Sequence, residues 1–230
     1  MQLTTTEKRF TLIFFLITIL EIVCSNMHSI EHLRFYTKPL ILISLIIYYF
    51  KMSSEIAKEL RNFTLMALVF SLLGDVLLMF THINANYFLS GLVAFLIAHV
   101  MYILVFRKQK NSDKPSLVFL IALLIYGALI FYVLGDRLAD MLIPVVIYML
   151  VILTMAFAAS RRKGRVSLQS YNLVLIGALF FIISDSLIAI NKFYTEVPLA
   201  DILIMTTYAI AQYLIVLGLL KSNHIISNKS

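Results

Sequence analysis

Eight long apolar runs, separated by short polar connections, constrain this chain more than any other feature. They fall at about 10–24, 38–50, 64–80, 86–106, 116–134, 138–159, 171–190 and 200–220. A helix rises about 1.5 Å per residue, so ~20 residues cross a ~30 Å hydrocarbon core. Most of the runs meet that length. The second is short and must borrow residues from Phe35 to Lys38 or sit where the bilayer thins. Backbone groups in lipid have no water to bond, so each span must satisfy its own N–H and C=O groups as a helix. A barrel would instead show ~10-residue alternating strands, and none is present. The expected fold is an all-α integral membrane protein with eight transmembrane helices, residues 1–230 forming a single transmembrane domain. Composition agrees: 61% of residues are hydrophobic and 13% charged, against about 45–50% and a quarter in soluble domains.

Charge placement gives an orientation. Of 19 Lys and Arg residues, only Arg34, Lys38, Arg137 and Lys192 fall on one side of the eight-span arrangement; the other fifteen fall on the opposite side. The positive-inside rule then predicts that both termini are cytoplasmic. It also accounts for the net charge of +7, as basic loops that meet anionic headgroups of membrane lipids. No aromatic interleaving or groove-binding helix accompanies these charges, so nucleic acid is not an expected partner. The N-terminal stretch KRFTLIFFLITILEIVC lacks a small-x-small cleavage site and is expected to be a retained first helix. The single cysteine, Cys24, rules out an internal disulfide and reads as a packing residue.

Two carboxylates interrupt the apolar spans. Asp75 lies in FSLLGDVLLMF and Asp185 in FFIISDSLIAI. Counted from the cytoplasmic ends of spans three and seven, both fall ~17–21 Å deep. A carboxylate in lipid costs at least ~2.5–3.5 kcal/mol, so each should face a protein interior or a watery cavity. The two acids are 110 residues apart, and Pro39 and Pro144 are 105 apart, which suggests a weak repeat of two parallel four-helix halves. Other polar groups lie in the same spans. Ser71 is one turn before Asp75, while Asn191 and Lys192 follow Asp185 toward the outer interface. His99 lies near the middle of span four, with Tyr102 one turn on. Tyr148 is in span six, Tyr208 and Gln212 share a face of span eight, and Lys38 opens span two. Singly, each has an ordinary explanation: a satisfied core His, a snorkelling Lys, a helix–helix hydrogen bond. Together they describe a polar pocket inside a helical bundle.

Several chemistries are excluded. His28 and His32 are four residues apart, but they, His82 and His224 fall in or next to loops and form no HExxH motif, so no zinc site is expected. Leu72 stands where the GxGD motif of intramembrane aspartyl proteases needs glycine. No G-x-S-x-G or Walker-type loop occurs.

Taken in order, KPL at 38–40, FSLLGDVLLM at 70–79, FLSGLVAFLIAHVMY at 88–102, GALFFIISDSLIAINKF at 177–193 and TTYAIAQYLIV at 206–216 resemble the YhhN-like lysoplasmalogenase family of multi-pass membrane proteins. The resemblance spans Lys38 to Leu220; the first span and the tail carry none of it. It implies hydrolysis of the vinyl-ether bond of a lysoplasmalogen, a lysophospholipid ether lipid, to a fatty aldehyde and a glycerophospho-base. It implies Asp75 and Asp185 as the catalytic acids. Lys38, Ser71, His99, Tyr148, Asn191, Lys192, Tyr208 and Gln212 would then be substrate-binding residues. It places the protein in the inner membrane of a bacterium or the endoplasmic reticulum of a eukaryote.

The chemistry suits a pair of carboxyls. Protonation of the alkene carbon leaves an oxocarbenium ion, to which water adds. Glycosidases meet the same cation with paired carboxyl groups. Low dielectric favours the neutral carboxyl that a proton donor needs. Either Asp can be the acid and the other the base, and no metal or cofactor is required. The alternative is a lipid or small-molecule transporter or binding protein that uses the two intramembrane Asp residues. No span shows the paired Gly/Pro interruptions of broken transporter helices.

Overall fold

The structure, a computed structural model, describes residues 4–27, 29–111 and 116–222. His28, Lys114, His224 and Lys229 lie outside the described residues. Within them run eight α-helices and no strand: α1 (Thr5–Asn26), α2 (Arg34–Met52), α3 (Lys58–Met79), α4 (Asn86–Lys108), α5 (Leu117–Leu134), α6 (Leu142–Ser160), α7 (Leu168–Phe193) and α8 (Ala200–Leu220). All eight are long and apolar enough to cross a membrane, and the protein is a multi-pass integral membrane protein. The second span gains its length at both ends. Arg34 to Thr37 join its start, so Pro39 is the sixth residue of the helix and leaves the Phe35 carbonyl without an intrahelical N–H from that position.

Side-chain caps mark the starts of α1, α5 and α7. The Thr4 hydroxyl accepts the Glu7 N–H, and the Glu7 carboxylate accepts the Thr4 N–H, closing a capping box on α1. The Ser116 and Ser167 hydroxyls accept the N–H groups of Phe119 in α5 and Ser170 in α7.

The chain divides into two compact units, Met1–Ala98 and His99–Ser230, with the boundary inside α4. In the first, Phe10 of α1 stacks on Tyr48 of α2 with ring centroids 3.8 Å apart. Gly74 of α3 lies under the Phe95 ring of α4, and Gly91 of α4 lies under Leu78; a Cβ at either glycine would fall inside 3 Å of those side chains. The small residues therefore let α3 and α4 approach closely.

In the second unit α7 and α8 form the most extensive helix pair. Over its membrane window α8 is 61% buried, whereas α5 is 17% buried and turns most of its apolar surface outward, as lipid contact requires. The α7–α8 seam closes on Gly177 and Gly218, and the Ser170 hydroxyl donates to the Gly218 carbonyl at 2.7 Å.

At the end of this unit a basic turn folds one cation inward. Arg162 is fully buried. Its Nε donates to Gln109 Oε1 at 2.9 Å, Nη2 to Ser170 Oγ at 2.9 Å and Nη1 to the Ser170 carbonyl at 3.3 Å. The guanidinium carbon also stands 5.6 Å from the centroid of the Phe106 ring. Burial pushes the guanidinium down to about 9, which leaves it charged at neutral pH. Arg162 thus ties α4, α7 and the α6–α7 turn together. Arg162→Met is expected to cost about 1–3 kcal/mol for each buried acceptor left bare. Thermal unfolding in lipid nanodiscs, with exposed Arg165→Met as the comparison, measures it.

Candidate active site

Asp75 and Asp185 occupy equivalent positions in their own helices, each seventeen residues beyond the first residue, Lys58 in α3 and Leu168 in α7.

Asp185 is the better-defined centre. The Tyr148 hydroxyl of α6 donates to Asp185 Oδ2. His99 Nε2 of α4 stands 3.9 Å from the same oxygen, an ion-pair distance if the ring is protonated and too long for a hydrogen bond. The His99 side chain is fully buried and that of Asp185 is 14% exposed, so the carboxylate is the member that reaches an open surface. Aromatic edges fix the imidazole. The Phe181 ring centroid lies 4.7 Å from that of His99 at 76°, and Tyr148 lies 5.4 Å away at 84°. Phe181 in turn meets Tyr208 edge-on at 5.6 Å. Tyr208 Oη accepts from Gln212 Nε2 at 3.4 Å, and Gln212 Oε1 accepts the Tyr102 hydroxyl at 2.8 Å. The polar residues of α4, α6 and α8 named from sequence are therefore assembled in two layers. Tyr148 and His99 lie against the carboxylate. Tyr208, Gln212 and Tyr102 form the second, which meets the first through the Phe181 ring.

Asp185 is among the residues that line a cleft of about 50 Å³ between α5, α6 and α7. Tyr148, Ser186 and Tyr126 also line it, and the Tyr126 hydroxyl donates to Ser186 Oγ at 2.8 Å. The open surface of the cleft is almost wholly hydrocarbon, with Ile130, Leu134, Val145 and Met149 among the lining residues. A water molecule takes ~30 Å³ of liquid volume. The cleft therefore has room for one or two waters, or for a short length of chain. A carboxyl group on the wall of an apolar cleft can transfer a proton to a hydrocarbon-borne group without bulk water intervening.

Two predicted neighbours do not join this cluster. Asn191 and Lys192 are exposed near the end of α7, where Asn191 Oδ1 accepts the Val197 N–H at 2.9 Å and shapes the turn into α8.

In the first unit, Asp75 is buried on α3 with Ser71 one turn before it. The Ser71 hydroxyl is fully buried and makes no hydrogen bond among the described residues. Lys38 is buried on α2, where it feels the charge of Glu21 from α1. Glu21 is fully buried; it accepts from Arg34 Nε at 3.2 Å and from the Thr37 hydroxyl. Sequence reasoning passed over Glu21. The signal was the same as for Asp75, an acid within an apolar run, but Glu21 lies near the end of its run and reads there as a boundary residue. Tyr126 and Ser186 carried no comparable signal, because aromatic and small polar residues are common in spans.

Comparison with known proteins joins these observations. Lysoplasmalogenase TMEM86A of Homo sapiens is 35% identical over 158 residues, which cover 67% of this chain and 64% of that protein. Lysoplasmalogenase TMEM86B of Homo sapiens is 34% identical over 156 residues, covering 68% of this chain and 62% of that one. Lysoplasmalogenase TMEM86B of Sus scrofa is 31% identical over 156 residues, again 68% and 62%. The match thus covers a little under two thirds of the length of these curated relatives. No solved structure matches the chain. The sequence pattern of the YhhN family matches residues 33–219, a stretch that runs from the start of α2 almost to the end of α8 and takes in every helix contributing to the Asp185 cluster, so the chain belongs to the YhhN family.

Proposed function

We propose that this protein is a membrane hydrolase that cleaves the vinyl-ether bond of a lysoplasmalogen. The observation that carries the reading is the carboxyl of Asp185 on the wall of an apolar cleft, held by Tyr148 and faced by His99. A single-chain ether lipid presents the matching chemistry: a hydrocarbon chain ending in an alkenyl ether. The names of the relatives support the same reaction class.

The steps balance as follows. Protonated Asp185 delivers its proton to the alkene carbon next to the ether-bearing one. The π electrons form the new C–H bond, and the ether-bearing carbon becomes an oxocarbenium ion. The resulting carboxylate faces that positive charge and stabilises it. Water adds to the cation and gives its proton back to Asp185, so one carboxyl serves as acid and then as base. The hemiacetal collapses to a fatty aldehyde and the glycerol hydroxyl of a glycerophospho-base. His99 stands beside the carboxylate, and Tyr148 fixes the carboxyl plane. Asp75 is proposed as a second carboxyl required for turnover. Lys38 and Lys192 are proposed to meet the substrate phosphate.

Purified protein incubated with lysoplasmalogen and followed by mass spectrometry tests the reading. Free aldehyde supports a hydrolase. Intact lipid that raises the protein's melting temperature identifies a binding or transport protein instead.

Two further outcomes are expected. Tyr148→Phe removes one hydrogen bond to the carboxyl and should lower kcat about 10-fold, an effect of ~1.4 kcal/mol, while KM changes little. An unchanged kcat would detach Tyr148 from the site. Asp75→Asn should abolish turnover in a protein that still inserts and elutes as a single species. Turnover near that of the parent chain would remove Asp75 from the reaction.

A further inference from the structure

The α6–α7 turn reads Ser160-Arg161-Arg162-Lys163-Gly164-Arg165, four cations in six residues. Such a run ordinarily forms a solvated face. Here it is built into a frame. Arg162 is turned inward and locked, as described above. Gly164 has φ +79°, a left-handed conformation that L side chains rarely adopt, and it turns the chain back toward α7. The preceding connection is bonded to this turn through one residue. The Asn111 N–H donates to the Arg161 carbonyl at 2.7 Å, Asn111 Nδ2 donates to the Lys163 carbonyl at 3.0 Å, and Arg161 Nη2 donates to the Asn111 carbonyl at 3.2 Å. Inverting Arg162 leaves its two neighbours, Arg161 and Lys163, lining one cavity.

That cavity measures about 520 Å³, several times the volume of a phosphate group. Arg161 and Lys163 supply its charge, and Asn111, Ser116, Ser160 and Tyr171 supply polar side chains. No acidic residue is among the described residues that line it. The cavity lies where α6 ends and α7 begins, beyond the apolar lengths of both helices. A planar guanidinium held by a backbone carbonyl, beside a mobile ammonium, suits the oxygens of a phosphate. Basic pockets at the ends of spans recognise anionic headgroups for the same reason.

We propose that the cavity between Asn111 and the α6–α7 turn binds a phosphate-bearing anion, separately from the Asp185 cleft. The anion is the headgroup of an anionic phospholipid or a free phosphate. The two sources share the chemistry and are told apart by experiment. Nothing in the proposal depends on vinyl-ether hydrolysis.

The test uses the full chain, delipidated in detergent, with bound species counted by native mass spectrometry. Phosphatidylglycerol, phosphatidylcholine of the same chains and inorganic phosphate are titrated separately. The parent protein is expected to retain phosphatidylglycerol at least 10-fold more tightly than phosphatidylcholine. Lys163→Gln changes only an exposed side chain and should reduce that preference several-fold. Arg161→Gln with Lys163→Gln should erase it. Lys51→Gln, on the α2–α3 connection, should leave it intact. Displacement of phosphatidylglycerol by millimolar inorganic phosphate would identify the phosphate alone as sufficient; retention would identify a lipid headgroup. Undiminished preference in both Lys163→Gln and the double variant overturns the proposal. So does an equal loss in Lys51→Gln, which would make the effect one of net charge.

Discussion

Asp185→Asn is expected to lower aldehyde release by about 10²–10⁴-fold, the range assigned to a positioned general acid or base. The substitution keeps the size of the side chain. It retains an oxygen that can accept the Tyr148 hydroxyl, so the contact between α6 and α7 survives. It removes the exchangeable carboxyl proton and the negative charge that would face an oxocarbenium ion. The loss should therefore appear in kcat, with KM nearly unchanged, because binding along the apolar cleft does not use the charge. Asp185→Glu should recover part of the rate, since the proton is restored but displaced by one methylene. A purely structural Asp185 would give a different pattern: the Asn variant would be active, or it would fail to insert. Size-exclusion profiles and melting temperatures separate those outcomes from a catalytic loss.

Gly177→Leu is expected to destabilise the fold of the second unit strongly. A Cβ at this position would stand 2.9 Å from the Ala211 carbonyl oxygen and 3.1 Å from the Ile215 nitrogen. These are backbone atoms of α8 and cannot rotate away. The leucine must push α7 and α8 apart along the unit's most extensive seam. Overpacking of this kind costs about 1–3 kcal/mol, and the bulk of leucine argues for the upper end. At about 2–4 °C per kcal/mol for a chain of this size, the melting temperature should fall by roughly 6–12 °C. Gly135→Ala is the comparison, because the added carbon would meet only the Phe131 ring at ordinary contact distance, 3.5 Å or more. If Gly177→Leu melts with the parent chain, the close α7–α8 approach is not what holds this unit.

The eight spans were legible because lipid imposes one simple requirement, apolar side chains over a fixed length. Their ends were less so. The second run is short by hydropathy alone, and α2 reaches its length by starting at Arg34, one residue before the Phe35 to Lys38 stretch expected to extend it. Sequence also marked Asp185, His99 and Tyr148 as unusual, since each lies inside an apolar run. It could not show that they meet. They lie on three different helices, and a helix's rotation about its axis is set by packing. Phe181 shows the point, because its ring meets both His99 and Tyr208 and nothing in its sequence context announces that. Arg162 shows the converse. In a run of basic residues it reads as one more solvated cation, yet it is the one turned inward, because Gln109 and Ser170 are placed to receive it. Nor does sequence show that the Asn191 side chain accepts the Val197 N–H at the turn into α8.

The proposed reaction protonates carbon, which gives it a signature that neither a binding protein nor a different hydrolysis shares. Purified protein turned over with a lysoplasmalogen in D₂O, with the aldehyde analysed by mass spectrometry, reads it directly. The predicted product is a fatty aldehyde carrying one deuterium on the carbon next to the carbonyl, absent when Asp185→Asn replaces the parent chain. Intact lysoplasmalogen, or an aldehyde without that deuterium, would contradict carboxyl-catalysed vinyl-ether hydrolysis.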